Sequence, residues 1–290
     1  MSAPSALLAP LLTWYDEHAR DLPWREPSAS PWAVLVSEFM LQQTPVARVL
    51  PVWEQWLSRW PTPADLAAEP AGAAVRAWGR LGYPRRALRL HAAATAIVAE
   101  HGGEVPSTYD ALLALPGVGD YTANAIIAFA QRRRAVVLDT NVRRVHARLF
   151  GATEFPAKAV TATERRLGED VLPEDDETAA TWSVAVMELG ALVCQARSPR
   201  CTACPVADRC AWLEAGFPAY DGPPRRGQTY AGTDRQVRGR ILAVLRESDD
   251  AVEPAAVTTV WDDAVQRDRA LASLLEDGLV VERDGLLALP

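Results

Sequence analysis

The sequence predicts an all-α body followed by a small α+β unit, and three observations carry that prediction. From about residue 5 to 215, segments rich in alanine, leucine and arginine repeat apolar residues at i, i+3 and i+4, with Pro and Gly as breaks and no long alternating run. Between Gly216 and Thr233 the stretch GFPAYDGPPRRGQTYAGT is rich in Pro and Gly and lacks apolar periodicity, which marks a linker. Beyond it, RQVRGRILAVLRES and DAVQRDRALASLLEDGLV read as helices, and VVERDGLLALP reads as a hairpin turning at Asp284 and Gly285. Helices followed by a short hairpin resemble a winged-helix unit. The expected organisation is a body over 1–216, a linker over 217–233 and a small domain over 234–290.

Composition bounds the function. At 290 residues and 49% hydrophobic, the chain is long enough for two or three units. No run approaches the roughly 20 apolar residues of a membrane span. The opening MSAPSALLAPLLTWYDEHARDLPW is broken by proline and charge, so no signal peptide is evident and a cytoplasmic location is expected. A net charge of −7 argues by itself against nucleic acid, because phosphate binding draws on Arg and Lys. The arginines are unevenly placed, however, bunching in QRRRAVVLDTNVRRVHAR and in GRLGYPRRALRLH, while acids gather in GEDVLPEDDE and RESDDAVEP. One reading is a basic face on an acidic protein; the other is a set of solvated helix surfaces.

All four cysteines lie in CQARSPRCTACPVADRC, at Cys194, Cys201, Cys204 and Cys210. Disulfide frameworks belong to short secreted chains, so clustered thiols here read as metal ligands whose coordination orders a loop too short for its own core. The gaps are C-x6-C-x2-C-x5-C. Structural zinc sites usually show two close pairs, whereas only the middle pair is close here, and four thiolates without a nearby histidine suit a cubane cluster. Zinc stays as the alternative.

Three further stretches carry chemistry. In LPGVGDYTANAIIAFA, Gly117, Val118 and Gly119 allow a tight turn with exposed N–H groups ahead of a helix containing Tyr121 and Thr122, which suits an anion; an ordinary turn is the bland reading. In VVLDTNVRRV, Asp139 stands two residues before Asn141 and directly before a helical pattern, where Asp serves as an N-cap. In SEFMLQQTPV, Glu38 sits inside an apolar run and shares a helix face with Leu41 and Gln42; Gln43 and Thr44 follow before Pro45 stops the helix. Helical spacing alone favours an exposed Glu38 over a buried one.

Together these stretches resemble the MutY family of adenine DNA glycosylases, in the endonuclease III and helix-hairpin-helix superfamily, over roughly residues 5–215. The C-x6-C-x2-C-x5-C loop resembles that superfamily's [4Fe-4S] site, and the helix, LPGVG turn and helix resemble its motif for gripping a DNA backbone phosphate. RDLPWR, with Trp24 and Arg25, resembles the segment that helps shape the adenine pocket. Tyr83 in WGRLGY falls where the family contacts or wedges the duplex. The resemblance implies a two-lobed fold, a [4Fe-4S] cofactor, Glu38 as general acid, Asp139 as the essential aspartate, and Leu41, Gln42 and Gln43 as probes of the opposed base. It also implies double-stranded DNA with a mispaired adenine as partner. A monomer acting ahead of downstream abasic-site repair enzymes is expected. YPRR stands where the family often has YYAR, and the C-terminal unit is too short for the family's Nudix-like domain, which puts discrimination of 8-oxoguanine in doubt.

Breaking the N-glycosidic bond of adenine requires managing an anionic leaving base and an oxocarbenium sugar at once. Two carboxyl groups in opposite states suffice: Glu38, held protonated, donates to N7, while Asp139, ionised in a more polar niche with Asn141, stabilises the sugar or transiently bonds C1′. A glycosylase that also cuts the strand needs an amine nucleophile, which its family places just before the Thr of the hairpin helix. Here Tyr121 occupies that position, and the only lysine, Lys158, lies in no matching motif. Thymine-mismatch and oxidised-pyrimidine glycosylases are the nearest alternatives, and a non-catalytic iron-sulfur DNA-binding regulator is the alternative from another class. The last 57 residues have two readings: contact with phosphates through Arg235, Arg238 and Arg240, or simple packing against the body.

Overall fold

The computed structural model of the chain describes residues 4–222 and 230–290, so 223–229 of the expected linker lie outside the described residues. The fold is mostly helical, and it divides into two compact units that interleave along the chain.

The first unit comprises Met1–Val34, Ser107–Leu113 and Val118–Pro224. Its helices include Pro4–His18, Thr140–Gly151, Ala162–Val171 and Asp176–Leu192. Leu7, Leu11 and Trp14 on the first of these meet Trp182, Val186 and Leu189 on the last, and Val142, Val145 and Leu149 complete the core. The apolar stripe at i, i+3 and i+4 is therefore what docks the N-terminal helix. Caps set the boundaries: Asp175 accepts from the Thr178 N–H at 2.9 Å, and Thr161 and Glu164 form a capping box. Asp120–Ala125 runs into a π-helical turn, Ile126–Ala130, where the sequence reads as one continuous helix.

The second unit comprises Leu35–Pro106, Ala114–Gly117 and Arg225–Pro290. The Arg85–His101 helix packs on Pro63–Ala67 and Ala71–Trp78, over edge-to-face contacts of Trp56 with Trp60 (4.7 Å) and Trp78 (5.7 Å). The residues beyond the linker join this unit instead of standing apart. Helices Asp234–Glu247 and Ala264–Glu276 pair with one another, and strands Val281–Arg283 and Leu286–Ala288 form the expected hairpin, with φ of 53° at Asp284 and 77° at Gly285. Val252 bridges to Leu287 beside it. The small domain is tied down by the Arg246 Nε to Val75 carbonyl bond (3.1 Å), by the Gly72 N–H to the Pro290 carbonyl, and by Arg85 to Asp277 (3.2 Å). These bonds support the packing reading of the last 57 residues.

Candidate active site

Glu38 lies on the Pro31–Leu41 helix, in its part that belongs to the second unit. The structure corrects the expectation of exposure: Glu38 is 5% exposed, next to fully buried Ser37 and between Val36 and Phe39. Nearly the whole helix is buried, so no polar stripe exists for the carboxylate to occupy. The helix ends at Leu41, and Gln42 and Gln43 stand in the turn that follows.

That turn is held by Arg86, which the sequence offered as one of a run of surface arginines. Its Nη1 donates to the carbonyls of Phe39 (3.0 Å), Met40 (3.1 Å) and Gln42, and its Nη2 donates to Thr44 Oγ1 and the Gly82 carbonyl, both at 3.1 Å. The guanidinium also lies over the rings of Trp78 and Tyr83. Burial pushes its pKa down to about 10, yet it stays charged at neutral pH and satisfies the carbonyls that the helix leaves open. Gln43 (φ 58°) and Tyr83 (φ 50°) both adopt left-handed backbone, a strained state that persists where surroundings over-determine it. Tyr83 is 42% exposed and Gln43 is exposed, so two of the expected probes present themselves from one clamped platform.

In the first unit, Asp139 caps the Thr140–Gly151 helix, accepting from the Val142 N–H at 2.6 Å, while its other oxygen accepts from Asn141 Nδ2 at 2.9 Å. The niche is less polar than expected. Burial raises the Asp139 pKa, and the Val142 and Asn141 donors only partly offset it. Asn141 Oδ1 in turn accepts from Arg144 Nη2 (2.8 Å), whose Nε donates to the Cys194 carbonyl (2.8 Å). Gly190 faces Asn141 so closely that an added Cβ would sit 2.7 Å from Asn141 Cβ. A chain of hydrogen bonds thus runs from the aspartate to the cysteine loop.

The hairpin residues divide in role. Gly117 has φ +82°, and a Cβ there would lie 2.7 Å from Arg89 Cβ, so no other residue fits. Gly119 begins the Asp120–Ala125 helix, and Asp120 is committed to Tyr109 (2.8 Å) and Arg165 (2.6 Å). Tyr121 is half-buried. Trp24, Val118 and Thr122 are buried. Leu41 and Gln42 are half-buried.

Arg25 is engaged by a residue that sequence reasoning missed. Glu188, fully buried in WSVAVMELG, accepts from Arg20 Nε and Nη2, both at 2.7 Å, and from Arg25 Nη2 at 2.8 Å. Burial alone would raise its pKa, but the two guanidinium groups outweigh that and hold it at about 2. Arg25 Nη1 is buried with no hydrogen-bond partner among the described residues.

Most arginines of QRRRAVVLDTNVRRVHAR do not form the basic face that their bunching suggested. Arg144 and Arg148 are buried, Arg143 pairs with Glu164, and Arg132 with Glu177. Five donors on one planar group make arginine suited to satisfying loop carbonyls, and that is its use here.

The cysteine loop fits an iron-sulfur cluster. Cys194, Cys204 and Cys210 pack against the first unit's core, with Arg148 Nη1 3.4 Å from Cys194 Sγ. Burial and the charges of its three companions push the Cys204 thiol up to about 11, and Cys201 is raised by burial and by Cys194 and Cys210, so the four sulfurs share one locality. A bound cluster would supply positive charge that keeps the thiolates ionised, and cross-links that order the loop.

A helical glycosylase-like fold with this loop defines the class, and comparison with known proteins agrees. Residues 36–170 match the family described as HhH-GPD superfamily base excision DNA repair protein, and 194–210 match the iron-sulfur binding domain of endonuclease III. The chain is 56% identical over 284 residues to the adenine DNA glycosylase of Mycobacterium tuberculosis, covering 97% of this chain and 92% of that protein. The structure of a thermostable thymine-DNA glycosylase superposes with a TM-score of 0.65 at 25% identity, covering 73% of this chain and 97% of that one. An endonuclease III–DNA complex shares the fold at 0.63 and 24% identity, over 75% of this chain and 99% of that one. The chain belongs to the adenine DNA glycosylase family. The match of 284 residues takes in the short C-terminal domain as well. No helix among the described residues is long and apolar enough to cross a membrane.

Proposed function

We propose that the protein flips mispaired adenine out of duplex DNA, opposite 8-oxoguanine or guanine, and hydrolyses its N-glycosidic bond without cutting the strand. The observation that carries this is Glu38, a carboxyl group buried in an apolar helix one turn before the clamped Leu41–Thr44 turn. A proton on this carboxyl is placed to pass to the leaving base at N7, the step that general-acid catalysis of the reaction needs. Asp139 has the complementary part. The helix N-terminus and two donors support its carboxylate while burial strips it of water, so an oxocarbenium sugar beside it is stabilised more strongly than by a solvated carboxylate.

Extrusion of the base costs a few kcal/mol, and Gln43 and Tyr83, exposed and backbone-strained, are suited to fill the gap that it leaves. Arg25 Nη1 is a buried donor available to an acceptor on the base. Tyr121 in place of a lysine leaves no Schiff-base nucleophile in the hairpin helix, which makes the reaction monofunctional. The enzyme then acts as a monomer in the cytoplasm and passes an abasic site to downstream repair enzymes.

Glu38→Gln and Asp139→Asn test the reading. Each should abolish adenine release under single-turnover conditions while leaving duplex binding nearly intact, because each removes charge management in the transition state and little ground-state contact. Retention of near-wild-type rates by either variant would remove that residue from the mechanism, and borohydride trapping that depends on Lys158 would overturn the monofunctional assignment.

A further inference from the structure

Arg148 lies on the Thr140–Gly151 helix, 1% exposed, against the loop that carries the cysteines. Its Nε donates to the Glu154 carbonyl (3.0 Å), its Nη1 to the Gln195 carbonyl (2.7 Å) and to Cys194 Sγ (3.4 Å), and its Nη2 to the Ala196 carbonyl (3.4 Å). The Trp212 ring covers the guanidinium at 4.6 Å, and the Phe155 ring lies 5.7 Å away. These acceptors are backbone carbonyls and one sulfur; none is a carboxylate. Other guanidinium groups of the first unit are matched by charge, Arg20 and Arg25 by Glu188 and Arg143 by Glu164.

Carbonyls satisfy the N–H groups of a guanidinium but leave its charge uncompensated, and a buried charge without a counter-charge is costly. Such a site calls for an anion, and the bond to Cys194 Sγ shows where it belongs. As thiolates, Cys194, Cys201, Cys204 and Cys210 outweigh the positive charge of an iron-sulfur core, so the filled loop is net negative beside Arg148. Net charge and hydrogen bonds to the sulfurs are two of the levers that set the reduction potential of such clusters.

We propose that Arg148 is the counter-ion of the iron-sulfur cluster and sets its reduction potential, stabilising the electron-richer state through its buried charge and its N–H bond to Cys194 Sγ. Loss of one electron from the cluster, to an electrode or to a one-electron oxidant such as ferricyanide, leaves less negative charge beside the guanidinium. The attraction therefore weakens on oxidation, and it does so where little water screens it. Removing the charge should move the midpoint downward and make the cluster easier to oxidise. The carbonyl bonds are a second duty that orders residues 194–196, and the Trp212 ring holds the group in place. Arg200 on the same loop has the same formal charge but is exposed and donates to the Leu192 carbonyl.

The test is protein-film voltammetry of the full chain with its cluster, with iron per chain measured on the same samples. Arg148→Gln keeps an N–H donor and deletes the charge, so in iron-replete protein it should lower the midpoint by about 59 mV, equivalent to a tenfold change in the one-electron equilibrium constant. Its brown colour should also bleach faster in ferricyanide. Arg148→Lys keeps the charge and should shift the midpoint roughly half as far or less, while Arg200→Gln should leave it unchanged. A wild-type midpoint in Arg148→Gln, or equal shifts in Arg148→Gln and Arg148→Lys, would overturn the proposal and leave Arg148 as an organiser of loop carbonyls. A measurement on the unaltered chain covers variants that load no iron. Pulsed EPR of the ferricyanide-oxidised protein carrying isotope-labelled arginine should show an arginine nitrogen coupled to the cluster spin, and absence of that coupling would overturn the proposal as well. None of these readouts involves base release, so a wrong base assignment would leave the test intact.

Discussion

His146 gives the structure a pH dependence that can be worked out in advance. It sits on the Thr140–Gly151 helix, 6% exposed, edge-on to Phe150 at 5.7 Å, and neither ring nitrogen has a hydrogen-bond partner among the described residues. Burial pushes its pKa from 6.5 down to about 4, opposed only weakly by the charge of Glu164. The folded state therefore keeps the ring neutral where the unfolded chain already binds a proton. Stability from this site is fully present above pH 6.5 and is lost as the pH falls toward about 4. At pH 5 the loss is about 2 kcal/mol, approaching about 3 kcal/mol at pH 4. His146→Leu removes the titration and two unpartnered buried nitrogens, so it should match or exceed the wild type at pH 7.5 and fall much less on acidification. Urea unfolding of both proteins at pH 7.5, 6.5, 5.5 and 5.0 reads the difference. Parallel pH curves would refute the assignment of a buried neutral imidazole.

Arg86→Met leaves several helix-end carbonyls without donors, so it should lower stability by about 3 kcal/mol and slow adenine release at least tenfold, read by thermal unfolding and single-turnover kinetics. Glu188 contributes stability that is present above its ordinary value of 4.5 and lost as the pH falls toward about 2, a total of about 3 kcal/mol; Glu188→Gln should show a flatter acid-unfolding curve and a less stable protein at neutral pH. Cys204→Ser should cut bound iron well below four per chain and expose the 194–210 loop to limited proteolysis, with the wild-type protein brown and protected.

The parts of the fold that were legible in the sequence are those written locally. Asp284–Gly285 between short apolar runs specifies a turn with positive φ at both positions, and it forms; Asp139 before a helical pattern specifies a cap, and it caps. The cysteine spacing was legible for the same reason, since one short loop holds all four ligands. What the sequence hid depends on distant segments meeting. Glu38 reads as exposed because helical spacing cannot show that a helix is buried on every side. Arg86, Arg144 and Arg148 read as surface charge because nothing local marks a guanidinium whose acceptors lie tens of residues away. Glu188 has the same difficulty, with partners 163 and 168 positions off. The C-terminal domain looked separate because a Pro- and Gly-rich stretch precedes it, while the contacts that join it to the 35–106 helices involve single residues such as Gly72 and Val75. The one signal available was the uneven arginine pattern, and of its two clusters it is GRLGYPRRALRLH that lines an open cleft.

The central claim, excision of mispaired adenine, is tested most directly by base release from duplexes holding A opposite 8-oxoguanine, A opposite G, A opposite C, and T opposite G. The purified protein with its cluster should release adenine from the first two and leave each strand intact until alkali is applied. Release of thymine from the T:G duplex with no adenine release, or cleaved strands before alkali, would contradict it.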